Sequence, residues 1–401
     1  MNPVESVSGG DEIASFYERH PYPPPVDDLE AYRRTWTDER RREETLRLWP
    51  DGSVGNARTI LVAGCGTSQA AKYAVRYPGA RVVGIDVSER SIAETRRLVD
   101  RHGLANIELH RLPIEEVARL DERFDHVVCT GVLHHLADPG AGLTALGSVI
   151  APGGALEAMV YAPFGRTGVY MLQDYCRLLG VQPTSDDIAG LIATLRELPL
   201  GHPLGHLLRN TPDFADDDAL ADALLNPRDQ AYAVEDLLAL IELAGLRFSR
   251  WVRQAPYRPT CGSMSELAHQ ERLETLPVAA QYAAMELFRG TMVRHGFIAR
   301  PAADPIIDVR FEPSWRDLVP VRATTSVAVT DRVPAPWTAA LLNQAHTDRD
   351  LVLFVTDEQR AAFEAIDGQR SCGELGADRR FFERLWEHDL IVVDTSNVPT
   401  T

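Results

Sequence analysis

Two glycines and one aspartate are the residues whose types and spacing point most directly to chemistry. Gly64 and Gly66 follow a short apolar run, and Asp86 ends the next apolar run, roughly 20 residues later. Glycines in such a turn let a ligand approach the backbone without interference from a Cβ atom. A carboxylate at the carboxyl end of the neighbouring strand can accept hydrogen bonds from both hydroxyls of a ribose. The spacing therefore predicts a pocket for a nucleoside.

A dinucleotide-binding fold is the main alternative for this pattern. Its fingerprint, G-x-G-x-x-G, requires a third glycine at position 69, and this chain has Gln69 there. That glycine permits the close helix packing that brings a pyrophosphate to the helix N-terminus, so its absence disfavours a nicotinamide cofactor. A two-glycine turn that binds no ligand is the other alternative. We interpret the site as one for a nucleoside without a diphosphate.

The segments that must position these residues alternate between strand and helix. Short runs rich in Val and Ile predict strands, and amphipathic segments bounded by Ser, Gly or Pro predict helices. The predicted strands cover 60–62, 82–86, 106–110, 124–129 and 155–161, and the predicted helices include 68–77 and 88–102. The segment 151–154, Ala-Pro-Gly-Gly, is predicted to be a turn. This alternation predicts an α/β fold with a doubly wound, mostly parallel sheet.

Four segments of the chain resemble the class I S-adenosylmethionine-dependent methyltransferases, in the order and spacing of that family. They are Leu-Val-Ala-Gly-Cys-Gly-Thr at 61–67, Gly-Ile-Asp-Val-Ser at 84–88, Phe-Asp-His-Val-Val-Cys-Thr-Gly-Val-Leu-His-His-Leu at 124–136 and Ile-Ala-Pro-Gly-Gly at 150–154. The resemblance covers roughly residues 55–165. It implies a Rossmann-like fold, a methyltransferase activity and S-adenosylmethionine as the cofactor.

The resemblance also implies which residues contact this cofactor. Those around its methionine part would be Ala63, Gly64, Cys65, Gly66 and Thr67. Asp86 would bind the ribose and Val87 would pack on the adenine. The residues near the adenine would be Leu112, Pro113 and Ile114, where many members of the family have an acidic residue. The floor under the sulfonium would include Thr130, Gly131 and Leu133.

Two adjacent histidines are the candidates for a catalytic base. His134 and His135 follow the predicted fourth strand, at the sheet edge where the sulfonium is expected. A histidine can remove a proton from an oxygen or nitrogen acceptor at neutral pH. The alternative is that both are structural, with one of them hydrogen-bonded under the sheet. His202 and His206 have the i, i+4 spacing of a helical metal site, but Pro203 and Gly205 favour a loop, and we expect no metal.

Segments on both sides of the predicted sheet are expected to shape the acceptor site. We predict an N-terminal arm over residues 1–50, in which Tyr17 would shield the cofactor and Tyr22 would contact the acceptor, or which would simply pack on the sheet. After the fifth strand, Tyr161, Arg166 and Tyr170 are candidate acceptor-binding residues. A helical insertion at about 170–232 is too long for a simple connection and would form a lid.

The predicted domain organisation follows from these segments. The methyltransferase domain would cover 51–300, including the insertion, and a small C-terminal α+β domain would cover 301–401. Predicted helices over 357–366, near 371 and over 379–388, followed by a strand at 390–394, loosely suggest a winged helix. The C-terminal segment is not basic, which disfavours DNA binding.

Composition limits the classes of partner. The formal charge of −17, with 45% hydrophobic and 25% charged residues, describes a globular protein whose acidic surface opposes binding to nucleic acids and anionic membranes. Basic clusters at 33–34 and 40–42 alternate with acidic residues and are interpreted as solvated helix faces. Five scattered cysteines and the lack of a long apolar stretch favour a cytoplasmic protein that does not enter a membrane.

The leading hypothesis is a methyltransferase that acts on an oxygen or nitrogen atom of a small metabolite. A protein or peptide methyltransferase that docks its substrate through the C-terminal domain is the second hypothesis. A non-catalytic protein that binds S-adenosylmethionine is the third.

Overall fold

The computed structural model describes residues 9–55, 58–205, 207, 216–306 and 308–398. Its main sheet is built from seven strands in two long stretches of the chain. They are β1 (Thr59–Ala63), β2 (Arg81–Asp86), β3 (Ile107–Arg111), β4 (Phe124–Thr130), β5 (Ile150–Tyr161), β6 (Leu246–Trp251) and β7 (Arg294–Pro301). The strand order is β3-β2-β1-β4-β5-β7-β6. Strands β1 to β5 are parallel, whereas β7 lies antiparallel to both β5 and β6. The predicted Rossmann-like, mostly parallel sheet is confirmed.

Helices cover both faces of this sheet, and further helices precede its first strand in the chain. They are α1 (Gly9–Arg19), α2 (Glu30–Arg34), α3 (Asp38–Leu48), α4 (Gln69–Arg76), α5 (Glu89–His102), α6 (Pro139–Ser148), α7 (Thr167–Leu179), α8 (Ser185–Arg196), α9 (Asp217–Leu225), α10 (Val234–Leu243), α11 (Gln270–Glu274) and α12 (Val278–Arg289), with short 3-10 helices at Ile114–Leu120, Leu133–His135, Ala255–Tyr257 and Gly262–Glu266. None of the helices in the described ranges combines the length and the apolar character needed to cross a bilayer.

Local sequence explains why the first two strands flank a tight turn. Ile60, Leu61 and Val62 are fully buried, because helices cover β1 on both faces. Helix α5 begins where the Ser88 hydroxyl accepts a hydrogen bond from the Ser91 N–H, and it ends at Gly103 in the left-handed conformation. These boundaries agree with those expected from the sequence.

The predicted turn at 151–154 is instead part of β5. Pairing with β4 advances from Phe124↔Ile150 to His126↔Ala155, so extra residues of β5 bulge out of the ladder. The Ala-Pro-Gly-Gly segment therefore acts as a bulge inside a long strand rather than as a turn before a shorter one.

The N-terminal arm and the insertion form one apolar cluster. Phe16 of α1 packs with Val169 and Leu172 of α7, Leu191 of α8 and Leu220 of α9. The Tyr17 hydroxyl donates to Asp222 Oδ1 at 2.9 Å and accepts from Asn226 Nδ2 at 3.2 Å. The prolines of 21–25 follow this helix in an irregular stretch that reaches the glycine turn.

Residues 309–398 have an apolar core of their own. The elements are β8 (Val319–Arg322), β9 (Ser326–Val329), β10 (Ala339–Asn343), β11 (Val352–Val355), α13 (Asp357–Glu364), α14 (Cys372–Leu375), α15 (Arg379–Glu387) and β12 (Ile391–Asp394). Strands β9 to β11 form an antiparallel sheet, and β8 pairs with β12. The three helices and β12 match the expected elements, but the sequence did not indicate β8 to β11. The winged-helix interpretation and the domain boundaries stay predictions.

Asp389 joins this C-terminal unit to the main sheet. Its backbone has φ of 55°, and its carboxylate accepts hydrogen bonds from the N–H groups of Gln254 at 2.7 Å and Ala255 at 3.0 Å. His346 lies 3.2 Å away and Arg250 of β6 lies 3.7 Å away. Burial opposes ionisation, but the hydrogen bond from His346 and the charge of Arg250 hold the pKa of Asp389 below its ordinary value.

We expect Asp389→Asn to lower the free energy of unfolding by about 3 kcal/mol at neutral pH, because it leaves the buried Arg250 without its counter-charge. Because the folded state lowers the Asp389 pKa, its stabilisation is present at neutral pH and is lost as the pH falls through that pKa. The variant should therefore show a shallower loss of stability with acid, measured by urea unfolding across pH. Asp331→Asn, at an exposed ion pair with Arg332, is the control and should change stability little.

Candidate functional site

The turn after β1 brings the backbone itself to the surface of a cavity. Gly64 and Gly66 have φ of +68° and +53°, which side chains rarely adopt. The N–H groups of Gly64 and Cys65 both donate to the carbonyl of Ile85 at 2.9 Å, which anchors the turn to β2. A Cβ atom on Gly64 would overlap the side chain of Val132. Glycine is therefore required here by both conformation and space.

Asp86 lies at the end of β2 with its carboxylate facing this turn. One oxygen accepts from the Gly66 N–H at 2.8 Å and the other from the Ser88 N–H at 2.9 Å. Burial raises the pKa of Asp86, and these N–H groups oppose that rise. A carboxylate has about four lone-pair positions, so each oxygen can accept one more hydrogen bond. The arrangement fits the ribose of S-adenosylmethionine, the cofactor that the resemblance implies.

The N-terminal arm closes the cavity above the turn. Thr67 Oγ1 donates to the carbonyl of Pro23 at 2.7 Å, and a Cβ on Gly66 would lie 3.0 Å from the carbonyl oxygen of Tyr22. The Glu18 carboxylate accepts from the Arg90 N–H at the start of α5 at 3.3 Å. The arm is thus attached to both segments that follow the first two strands.

A single cavity of about 730 Å³ joins most of the predicted site residues. Those that line it are Tyr17, Tyr22, Gly64, Cys65, Gly66, Asp86, Val87, Leu112, Pro113, Ile114, Thr130, Gly131, His135, Tyr161 and Arg166. The predicted residues outside its lining are Ala63, Thr67, Leu133, His134 and Tyr170. Ala63, Thr67 and Leu133 are fully buried and support the wall from behind.

The two histidines have different surroundings. The Nδ1 atom of His135 contacts the carbonyl of Arg228, which can only accept, so Nδ1 carries the proton and Nε2 presents a lone pair. Nε2 has no hydrogen-bond partner within the described ranges, and this atom is not fully buried. His134 is buried against Tyr161, with ring centroids 3.9 Å apart. Burial, His135 and Arg166 hold the pKa of His134 well below its ordinary value.

Arg166 is already engaged with protein groups. Its guanidinium lies 3.5 Å from the centroid of the Tyr161 ring and 2.9 Å from Asp229 Oδ2, and its Nε lies 3.2 Å from the Tyr170 hydroxyl. Gln173 also donates to Asp229. The structure therefore gives Arg166 and Tyr170 a role in holding the loop after β5, next to the cavity.

Sequence reasoning missed the far half of the cavity. Glu157 and Met159 of β5, Arg253 after β6 and Arg294 of β7 line it, together with Thr324 of the C-terminal unit. The alternation of Glu157, Met159 and Tyr161 along β5 was the available signal. The rest depends on strand pairing between distant segments, which no local pattern reveals.

The solvated-face interpretation of the basic clusters is wrong for α3. Glu43 and Glu44 are buried, and they pair with Arg47 at 2.6 Å and Arg76 at 2.7 Å. Glu43 and Glu44 face the cavity. The C-terminal unit contacts the same face of α3, where the Thr324 N–H donates to Glu43.

The histidine pair considered for a metal is only partly described. His202 Nδ1 accepts from the Leu204 N–H at 3.1 Å in a turn, and His206 lies outside the described residues. Within the described part of the chain, no three His, Cys, Asp or Glu side chains are grouped so that they could hold a metal ion.

Comparisons with known proteins agree with this geometry. A sequence family described as a methyltransferase domain matches residues 61–156. An uncharacterised protein of Synechococcus sp. is 31% identical over 284 residues, covering 69% of this chain and 68% of the relative. A ubiquinone biosynthesis O-methyltransferase of Acinetobacter baumannii is 26% identical over 200 residues, covering 46% of this chain and 79% of that enzyme.

The fold also matches a solved structure that contains the demethylated cofactor. PKMT2 from Rickettsia typhi in complex with AdoHcy has a TM-score of 0.63 and 12% sequence identity, covering 93% of this chain and 77% of that chain. With the glycine turn, the aspartate that faces it and the strand order, these similarities establish that the chain belongs to the class I S-adenosylmethionine-dependent methyltransferases and uses S-adenosylmethionine as its cofactor.

Proposed function

We propose that this enzyme methylates an oxygen or nitrogen atom of a small molecule. The observation that carries this proposal is the partly covered cavity, which continues from the cofactor turn along β5 beneath the arm, α3 and the C-terminal unit. Its volume of about 730 Å³ is in the range of small-molecule sites and leaves room for an acceptor beside the cofactor. In this proposal, Gly64, Gly66 and Asp86 hold the cofactor, and Tyr161 borders the acceptor.

The residues around the reacting atoms have few tasks in such a transfer. When bound, S-adenosylmethionine supplies an activated methyl group on a sulfonium. The cavity walls then exclude water and orient the acceptor for in-line attack. In our proposal, Nε2 of His135 takes the proton from the acceptor, because the carbonyl of Arg228 keeps the proton of the free imidazole on Nδ1.

A protein acceptor is the second candidate function. It is supported by the fold of PKMT2, because the similarity spans 93% of this chain and therefore includes much of the C-terminal unit. In that case the C-terminal unit would bind the substrate protein, and a side chain would have to enter the cavity from outside. The arm and α3 cover part of the cavity and limit the access of a protein substrate, which favours a small-molecule acceptor.

The size of the labelled product tests this proposal directly. Incubating the protein with methyl-labelled S-adenosylmethionine and cell extract should give a labelled low-molecular-mass product, separated from the labelled cofactor by chromatography after filtration and missing when the protein is left out. Asp86→Ala should remove that label, because the proposed ribose contact is lost, whereas Asp100→Ala on the outer part of α5 should not. Label in the protein fraction alone would contradict a small-molecule acceptor.

Gly64→Ala tests the role of the glycine turn. The new Cβ would meet Val132 and force a left-handed φ on a residue with a side chain, so we expect at least tenfold weaker binding of S-adenosylmethionine by calorimetry. Gly103→Ala is a matched control, because Gly103 also has a positive φ of +59° but nothing lies within 4 Å of the added Cβ. Gly103→Ala should lose about 1 kcal/mol of stability through the backbone conformation alone, Gly64→Ala should lose more because its Cβ also overlaps Val132, and only Gly64→Ala should lose affinity.

His135→Asn tests the proposed base. We expect kcat to fall by about 100-fold or more, with unchanged affinity for S-adenosylmethionine, because general-base catalysis contributes about 10²–10⁴-fold. The measurement uses the unlabelled low-molecular-mass fraction of the cell extract as the source of acceptor and follows transfer of label from S-adenosylmethionine. His134→Asn serves as the comparison. A larger loss of kcat in that variant, at equal stability, would show that His135 is not the base.

A further inference from the structure

We propose that Arg253 and Arg294 bind an oxyanion of the methyl acceptor, so that the substrate is an acid carrying a carboxylate or a phosphate. This inference rests on the proposed small-molecule function and names the chemical class of the substrate. It follows from the position of the two arginines, from the pairing of most other arginines in the cavity with carboxylates, and from the contrast with the charge of the whole chain.

The strand order places both arginines at the edge of the sheet where the cavity opens. Arg294 is the first residue of β7 and pairs with Tyr161, the last residue of β5. Arg253 follows the end of β6, where the Val252 N–H donates to the carbonyl of Gly296 at 2.9 Å. Both side chains are exposed and line the cavity. Two neighbouring antiparallel strands thus bring two guanidinium groups to one end of the acceptor region.

Most other arginines around the cavity already have a carboxylate partner. Arg47 pairs with Glu43, Arg76 with Glu44, Arg166 with Asp229 and Arg250 with Asp389. By contrast, neither Arg253 nor Arg294 has an ion pair or a side-chain hydrogen bond to any residue in the described ranges. Partial burial, followed by the charge of Arg294, lowers the pKa of Arg253.

Two guanidinium groups that line one cavity without a carboxylate in salt-bridge contact favour binding of an anion. Guanidinium groups present paired N–H donors that match the oxygens of a carboxylate or phosphate. The formal charge of the chain is −17, so an unpaired cationic pair at the cavity is opposite in sign to the protein as a whole. Such a local field attracts an acidic ligand to this edge of an otherwise acidic molecule.

The end of β4 and the two arginines lie on opposite sides of β5. Thr130 of β4 pairs with Met159 of β5, and Met159 in turn pairs with Gly296 of β7. Neighbouring strands lie about 4.8 Å apart, so the end of β4 and the start of β7 are separated by about 10 Å. Met159 lines the cavity between them. An acceptor that reaches both the end of β4 and the two arginines must therefore extend across β5.

Anion binding tests the site without requiring turnover. Inorganic phosphate and succinate, titrated separately by calorimetry with saturating S-adenosylhomocysteine present, should each bind to the protein. The double variant Arg253→Gln/Arg294→Gln should weaken this binding at least tenfold while leaving S-adenosylhomocysteine affinity unchanged. Arg272→Gln is the matched control, because Arg272 is also exposed but lies on α11, outside the cavity lining. Failure of both probes to bind, or equal binding by the double variant, would overturn the proposed site.

The labelled product separates this inference from the function on which it rests. The low-molecular-mass product should be retained by an anion exchanger at neutral pH, and the double variant should raise KM for its precursor at least tenfold. A labelled small molecule without an acid group would refute the anion site and leave the small-molecule function standing. If all label appeared in protein, the small-molecule function and the acidic substrate would both fail, whatever the result of the phosphate titration.

Discussion

The carboxylate of Asp86 holds two backbone turns together, and the cofactor half of the cavity depends on it. It accepts hydrogen bonds from the Gly66 N–H of the turn after β1 and from the Ser88 N–H at the start of α5. Thr95 of the same helix donates to the Gly66 carbonyl at 2.9 Å. The turn is therefore fixed before any ligand is bound, so that little conformational freedom is lost when a nucleoside occupies it.

The acceptor half of the cavity depends on a different constraint, the antiparallel strand β7. Because β7 lies between β5 and β6, it brings residues near position 294 beside residues near 161. Helix α3 and the C-terminal unit cover this part of the cavity, and Asp389 fixes the unit to the segment after β6. The C-terminal unit thus acts as a wall of the cavity through Thr324 and Asn343.

These two halves explain what the sequence could and could not predict. The cofactor half comes from consecutive segments between β1 and β4, in which each strand, turn and cap has its own local pattern, so Gly64 and Asp86 could be found directly. Arg253 and Arg294 could not, because their proximity results from the pairing of β6 with β7. The strands β8 to β11 are short, which weakens the alternation that would identify them.

The adjacent histidines show a further limit of local patterns. Both follow β4 at the expected edge, and nothing in the sequence distinguishes them. The distinction comes from Arg228, nearly a hundred positions later in the chain, whose carbonyl orients His135, while Tyr161 covers His134. The position of both histidines directly after β4 was therefore predictable, but the orientation of a proton-accepting atom was not.

Charge is distributed unequally between the two halves of the cavity, and this distribution bears on the choice between acceptors. The cofactor end has Asp86 and Glu115 in its lining, together with Lys72 of α4. The opposite end has Glu157 together with Arg253 and Arg294, and these two arginines have no carboxylate in salt-bridge contact. A cationic side chain of a substrate protein entering from that end would pass two like charges, which would oppose its entry. In our proposal an acid is attracted there and places its neutral end toward His135.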